Sequence, residues 1–176
     1  VFAAAGLTSP ALGTLAAGVV NVVSTAAGVA LVERTGRRPL LLSGMAGMAA
    51  SALALTALLV AGPRAPAALC VLVVCASVSF FEIGLGSIPW QIGNELFPPE
   101  HKGAAMSACA TVNWLATTLV GAVFPWLQIR LGPYSFTPFA AFLVAAYFWT
   151  DKALPETKGK TVAQIQVALA ERGGKA

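Results

Sequence analysis

The stretch Glu82-Ile-Gly-Leu-Gly-Ser-Ile-Pro-Trp90, continued by Gln91-Ile-Gly-Asn-Glu95-Leu-Phe97, decides how this chain folds. It lies inside an apolar run that begins near Ala67, so a carboxylate, glycines and a proline fall where lipid contact would be expected. A carboxylate is expensive at that depth and faces a protein interior or a wet cavity. Glycine and proline loosen a helix, and broken helices are tolerated in a membrane where they line a pathway. Together these residues predict a solute path through a membrane.

Composition points the same way. The chain has 176 residues, 57% of them hydrophobic and only 10% charged, against about 25% charged in a soluble domain. Mean hydropathy is +0.79. The chain begins with Val1 rather than methionine, and residues 1–10 read as the remnant of a preceding helix or loop, so a C-terminal portion of a longer protein is expected. Cys70, Cys75 and Cys109 fall in apolar runs without a CxxC spacing or a nearby histidine, and read as small hydrophobes in packed helices.

Five apolar segments are readable within residues 11–150, at about 11–32, 39–61, 67–95, 104–128 and 134–150. A spanning helix needs roughly 20 apolar residues. The first four meet that, and the last would lean on Tyr147-Phe148-Trp149 as an interface anchor. The fold class expected is an all-α membrane protein of five transmembrane helices plus a short cytoplasmic helix. Short connections make neighbouring helices antiparallel. Placing the first loop in the cytoplasm puts Arg34, Arg37, Arg38, Lys102, Lys152, Lys158, Lys160, Arg172 and Lys175 on that side and leaves only Arg64 and Arg130 on the other. That asymmetry is a positive-inside signal and makes the C-terminus cytoplasmic. It also leaves no basic face for nucleic acid, despite the net charge of +4. The polar tail, residues 151–176, carries a capping-box pattern at Thr161-Val-Ala-Gln164 followed by Val162, Ile165 and Leu169 on one face, and so predicts a short amphipathic helix.

Several polar residues recur near the membrane midplane. Glu82 is close to the middle of the third segment, and α-helical counting puts Gly86, Pro89 and Gly93 on its face with Trp90 beside them. A carboxylate accepts hydrogen bonds from hydroxyls, and an aromatic ring covers the apolar face of a sugar. The alternative for Glu82 is a purely structural pairing with a neighbouring helix. Asn113 lies roughly 13 Å into the fourth segment, near the centre of a core about 30 Å thick, with Thr117 on its face. Asn21 is central in the first segment, with Thr14, Thr25 and Gly28 nearly aligned. Amides and hydroxyls at shared depth suit an uncharged polyhydroxylated solute; the competing explanation is interhelical hydrogen bonding, worth about 0.6 kcal/mol each. At the cytoplasmic boundary, Glu33, Arg34, Arg37, Arg38, Glu95 and Glu156 could form an ion-pair network that locks helix ends in one conformation, or could be solvated topology signals. The second segment, rich in glycine and alanine, reads as packing only. There is no Ser/His/Asp set, no paired histidine ligands and no phosphate loop, so no enzyme, cofactor or metal site is expected.

Four blocks then carry a family resemblance: Val32-Glu-Arg-Thr-Gly-Arg-Arg38, Phe80-Phe-Glu-Ile-Gly-Leu-Gly-Ser-Ile-Pro-Trp90 with Glu95-Leu-Phe97, Asn113-Trp114, and Pro155-Glu-Thr-Lys-Gly-Lys-Thr161. In order and spacing the chain resembles the C-terminal half of the sugar porters, the major-facilitator group that includes the facilitative glucose transporters. The resemblance implies a protein of two six-helix halves, of which this chain supplies the last five helices and lacks the N-terminal half. It implies alternating access with a hexose-type sugar between the halves, most simply in the plasma membrane. It also implies that Asn21, Glu82, Trp90, Asn113 and Thr117 surround the sugar and that the boundary charges act as gates. The sequence departs from the family in two places. The run Gly84-Leu85-Gly86-Ser87 replaces a Gly-Pro-Gly-Pro pattern, predicting a stiffer helix, and Thr117 stands where a second asparagine is frequent. Two other functions remain in play: a truncated, non-transporting membrane scaffold, and a proton symporter for another small polar solute.

Overall fold

The structure, a computed structural model, describes residues 10–173. Among these residues there is no strand. The helices run in the order α1 (Pro10–Thr35), α2 (Arg37–Ala61), α3 (Ala67–Phe80), α4 (Ile88–Leu96), α5 (Pro99–Leu131), α6 (Thr137–Ala153) and α7 (Val162–Gly173). A π-helical turn, Phe81–Gly86, joins α3 to α4. Val1–Ser9 and Lys175, both used in the sequence reading, lie outside the described residues.

Hydrogen-bonded helix continues past the apolar limits, because hydropathy marks the lipid-facing length while glycine and proline end the helix. Thus α1 ends at Gly36 (φ 100°) rather than at residue 32, and α5 runs from Pro99 to Gly132 (φ 52°) rather than over 104–128. Four stretches are long and apolar enough to cross a membrane: Gly13–Thr35, Arg37–Arg64, Ala67–Leu96 and Pro99–Tyr134. Helix α6, with 17 residues, spans about 26 Å, and exposes Phe148 and Trp149 at its end as interface aromatics.

Helix α2 is the hub, packed against α3, α6 and the π turn. Apolar side chains gain little by leaving lipid for one another, so close approach and dispersion must hold such helices together. Gly44 supplies the approach. A Cβ there would lie 2.8 Å from the Gly84 Cα and 2.9 Å from the Phe80 carbonyl oxygen, so backbone meets backbone. Below this crossing, Val32, Leu40, Leu41, Met45, Ile88 and Ile92 form a buried cluster at the end of the bundle that holds the tail. Helix α5 differs: none of its residues is buried. It meets α4 where the Met106 sulfur covers Gly93, and meets the start of α6 where the Phe124 ring lies 5.4 Å from Phe136 and 5.9 Å from Phe139.

The π turn corrects one expectation. Counting Glu82, Gly86, Pro89 and Gly93 onto a single face assumed an unbroken α-helix. Pro89 cannot donate to the carbonyl four residues back, its ring crowds that carbonyl, and Gly84 and Gly86 weaken the helix before it. The chain answers with a wide turn and a break at Ser87 (φ −107°), so the face defined at Glu82 does not run on through α4. With only Pro89 of the expected prolines present, the segment still departs from a regular α-helix.

Candidate functional site

Helix α1 presents Asn21, Ser24, Thr25 and Gly28 on one face, spaced i, i+3, i+4 and i+7, and the segment Ser79–Ile83 lies along it. The Ser24 hydroxyl donates to Ser79 Oγ at 2.9 Å. Asn21 Nδ2 donates to Glu82 Oε1 at 2.5 Å, and Thr25 Oγ1 donates to Glu82 Oε2 at 2.9 Å. Where the stripe ends, Gly28 lets the backbones touch: a Cβ would stand 3.2 Å from Ile83 Cα and 3.3 Å from the Glu82 carbonyl oxygen. The carboxylate therefore sits between helices with a donor on each oxygen, as a charge in apolar surroundings requires. Asn21 is exposed while Glu82 and Thr25 are half-buried, so the cluster opens outward on the Asn21 side.

The other expected solute-site residues make their hydrogen bonds elsewhere. Trp90 is half-buried on α4, and its carbonyl accepts a bond from Asn94 Nδ2 at 2.9 Å. Asn113 and Thr117 are exposed on α5, where the Thr117 hydroxyl donates to the Asn113 carbonyl at 2.8 Å. Glu82 and Asn21 are thus brought together, and Trp90, Asn113 and Thr117 make no hydrogen bond to them among the described residues.

At the tail end of the bundle the charges converge. Arg37 Nη2 pairs with Glu95 Oε1 at 3.0 Å and with Glu33 Oε1 at 3.5 Å, and Arg37 Nε donates to the same Glu95 oxygen at 3.1 Å. Arg38 pairs with Asp151 at 2.5 Å and donates to the Leu154 carbonyl at 2.9 Å. Glu156 acts differently, because its carboxylate accepts from the backbone N–H groups of Arg37 (3.0 Å) and Arg38 (3.1 Å), which open α2. It serves as the N-terminal cap that Gly36 has no side chain to provide. Gly36 is required there twice over: its φ is 100°, and a Cβ would come 2.8 Å from Glu156 Oε2. Partial burial raises the Glu156 pKa, but N–H donors from Lys158, Arg37, Arg38 and Thr157 outweigh it and hold the carboxyl below its ordinary 4.5. Arg34 contributes its carbonyl, which accepts from Lys158 Nζ at 2.7 Å.

Several participants escaped the sequence reading. Thr25 was aligned with Asn21 but not joined to Glu82. In the sequence, Asp151, Lys158, Gln166 and Arg172 are ordinary polar residues of the tail and of the end of α6. Yet Gln166 Nε2 donates to the Leu96 carbonyl that ends α4, and Arg172 donates to the Leu154 carbonyl beyond α6 at 3.0 Å. These bonds go to backbone oxygens at helix ends, which no side-chain pattern announces. The capping box does form, with Thr161 N–H donating to Gln164 Oε1 at 3.0 Å and Gln164 N–H to Thr161 Oγ1 at 3.4 Å. Among the described residues no group of three or more His, Cys, Asp or Glu side chains could hold a metal ion.

The described residues thus form a helical membrane bundle with a polar cluster at a broken helix and a charge cluster at one end. The family described as "Sugar (and other) transporter" matches residues 1–169. The mouse (Mus musculus) solute carrier family 2, facilitated glucose transporter member 4 is 43% identical over 171 residues, covering 96% of this chain and 34% of that protein. The rabbit (Oryctolagus cuniculus) member 3 is 41% identical over 171 residues, covering 96% and 35%. Among solved structures, the xylose transporter XylE from E. coli in its inward open conformation superposes with a TM-score of 0.81 at 29% identity, over 89% of this chain and 35% of that one. The chain belongs to the sugar porter family of the major facilitator superfamily, and it is an integral membrane protein. It spans about a third of the length of these relatives.

Proposed function

We propose that the chain forms the C-terminal part of a hexose-type sugar transporter that works by alternating access. In this reading an N-terminal half packs against the exposed sides of α1 and α5, and the sugar is held between the halves. Glu82 and Asn21 offer it an acceptor and a donor, Trp90 covers its apolar face, and Asn113 and Thr117 approach from α5. Glu33, Arg34, Arg37, Arg38, Glu95 and Glu156 hold the cytoplasmic helix ends together in one state and release them in the other. The C-terminus faces the cytoplasm and the membrane is the plasma membrane. The observation that carries the proposal is the Asn21–Thr25–Glu82 cluster at a π turn, since lipid-facing helix has no use for a hydrogen-bonded carboxylate at an unwound turn. Family membership supports it, as does the transport of glucose and of xylose by the relatives named above.

The test is uptake of labelled glucose, fructose and xylose by the full-length protein in proteoliposomes, with and without a proton gradient. The wild type is expected to take up at least one of them. Glu82→Gln, present at equal protein density, is expected to lose about tenfold or more in flux, in line with a hydrogen bond to a charged group. Wild-type kinetics in that variant would remove Glu82 from the path. A gradient requirement would make the sugar transporter proton-coupled rather than facilitative, and no uptake of these sugars would favour the scaffold or a symporter for another solute.

A further inference from the structure

We infer that Thr25 is a positioning residue for solute binding, acting through Glu82 rather than on the solute; the inference rests on the transport reading above. The two oxygens of the Glu82 carboxylate have unlike surroundings. Oε1 takes its bond from Asn21, whose side chain is exposed. Oε2 faces inward, held at 2.9 Å by Thr25 on one side. On the other side Gly86 leaves so little room that a Cβ there would come within 2.9 Å of the same oxygen. The backbone beneath is fixed as well, between Gly28 of α1 and Gly44 of α2, against which Ile83 and Gly84 rest. What remains free is rotation about the side-chain bonds of Glu82. The Thr25 hydroxyl, itself half-buried, stops that rotation. Oε1, with a spare lone pair beside the remaining Asn21 donor, is then left at a fixed place for a solute hydroxyl.

Thr25 is also built to let go. Its oxygen lies 2.9 Å from the Asn21 carbonyl oxygen, one turn earlier in its own helix. A hydroxyl carries one proton, so it bonds either to Glu82 or back to α1. If the π segment moves away, the proton has a second acceptor and no donor is stranded in an apolar region. For the same reason valine at this position removes the donor to Glu82 without leaving any unsatisfied group on residue 25.

The experiment compares wild type, Thr25→Val and Thr25→Ser in the full-length protein. It measures uptake KM and maximal rate in proteoliposomes, and Tm in detergent for each alone and combined with Glu82→Gln. Thr25→Val is expected to raise KM about fivefold to tenfold, with the maximal rate per folded molecule within about twofold. Thr25→Ser is expected to restore the wild-type KM. The Tm changes of Thr25→Val and Glu82→Gln are expected to be non-additive, because each acts on the same bond. A wild-type KM in the valine variant, a serine variant no better than valine, or additive Tm changes would each overturn the inference. A wild type that takes up no sugar yet shows the non-additive melting would support the Thr25–Glu82 coupling and overturn the transport reading instead.

Discussion

Helices α2 and α5 are both apolar and both long enough to cross a membrane, yet they live in opposite surroundings. Along α2, Leu40, Leu41, Gly44, Met45, Ala49, Ser51, Leu55 and Thr56 are buried, while α5 buries nothing over 33 residues. Hydropathy does not separate them. What does is whether a small residue meets another backbone. Gly44 lies against Gly84, and the two admit a crossing closer than any side chain allows. Gly103 and Gly121 of α5 have open space where a Cβ would go. Without a hydrophobic force between helices in lipid, such paired gaps decide which helix becomes the centre. The helix left outside carries the polar groups, Asn113 and Thr117, that packing does not use.

The sharpest way to break this contrast is to fill both gaps. Gly44→Leu forces a side chain into the Gly84 backbone, and such overpacking costs about 1–3 kcal/mol or more because backbone cannot step aside. The full-length variant is expected to lose most of its monodisperse folded protein in size-exclusion chromatography. Gly121→Leu is expected to lose clearly less folded protein than Gly44→Leu, since it meets no neighbour among the described residues; equal losses in the two variants would erase the distinction. A smaller effect is expected from Asn113→Ala. Here the uptake KM is expected to rise about threefold to tenfold, with Tm within about 2 °C, the mark of a helix that serves solute rather than packing. A drop in Tm without a change in KM would assign Asn113 to a helix contact.

The smallest effect concerns the start of α2. Because the native carboxyl of Glu156 is held below its ordinary 4.5, its contribution to stability is present above that value and is lost as pH falls through the lowered native one. Glu156→Gln is therefore expected to melt a few degrees below wild type at about pH 7, and the difference is expected to close as pH falls below 4.5 and through the lowered native value. A gap that stays constant over that range would mean that the cap does not depend on charge.

Much of the fold was legible because a membrane imposes length and polarity on each segment. The apolar runs, the loosened third segment and the capping box at Thr161 rest on local rules, and the helices formed near those places. Asn21, Glu82 and Asn113 were legible as polar groups at similar depth, but that Asn21 is the one to bond Glu82 was not. Three things were not legible. The π turn lies in the choice between two hydrogen-bond ladders, which differ by one residue of slack and leave no mark on hydropathy. The partners of Glu156, Gln166 and Arg172 are backbone groups, and a sequence does not say which helix ends will lie beneath a tail. Which of the midplane polar groups bonds to Glu82 depends on how the helices pack, and the residues of α5 alone do not encode that.

The wide turn at Phe81–Gly86 has one further consequence. A π turn stores one residue more than an α-helix of the same rise. If that residue were drawn back into the regular ladder, everything after it would rotate by about 100° and shift by about 1.5 Å along the axis. Trp90 and Glu95 both lie on the far side of the turn. One event in a single stretch of backbone would therefore swing the aromatic ring and the Arg37-bound carboxylate together, in the manner of a crankshaft, with no bend in α3 and no shear between α1 and α2.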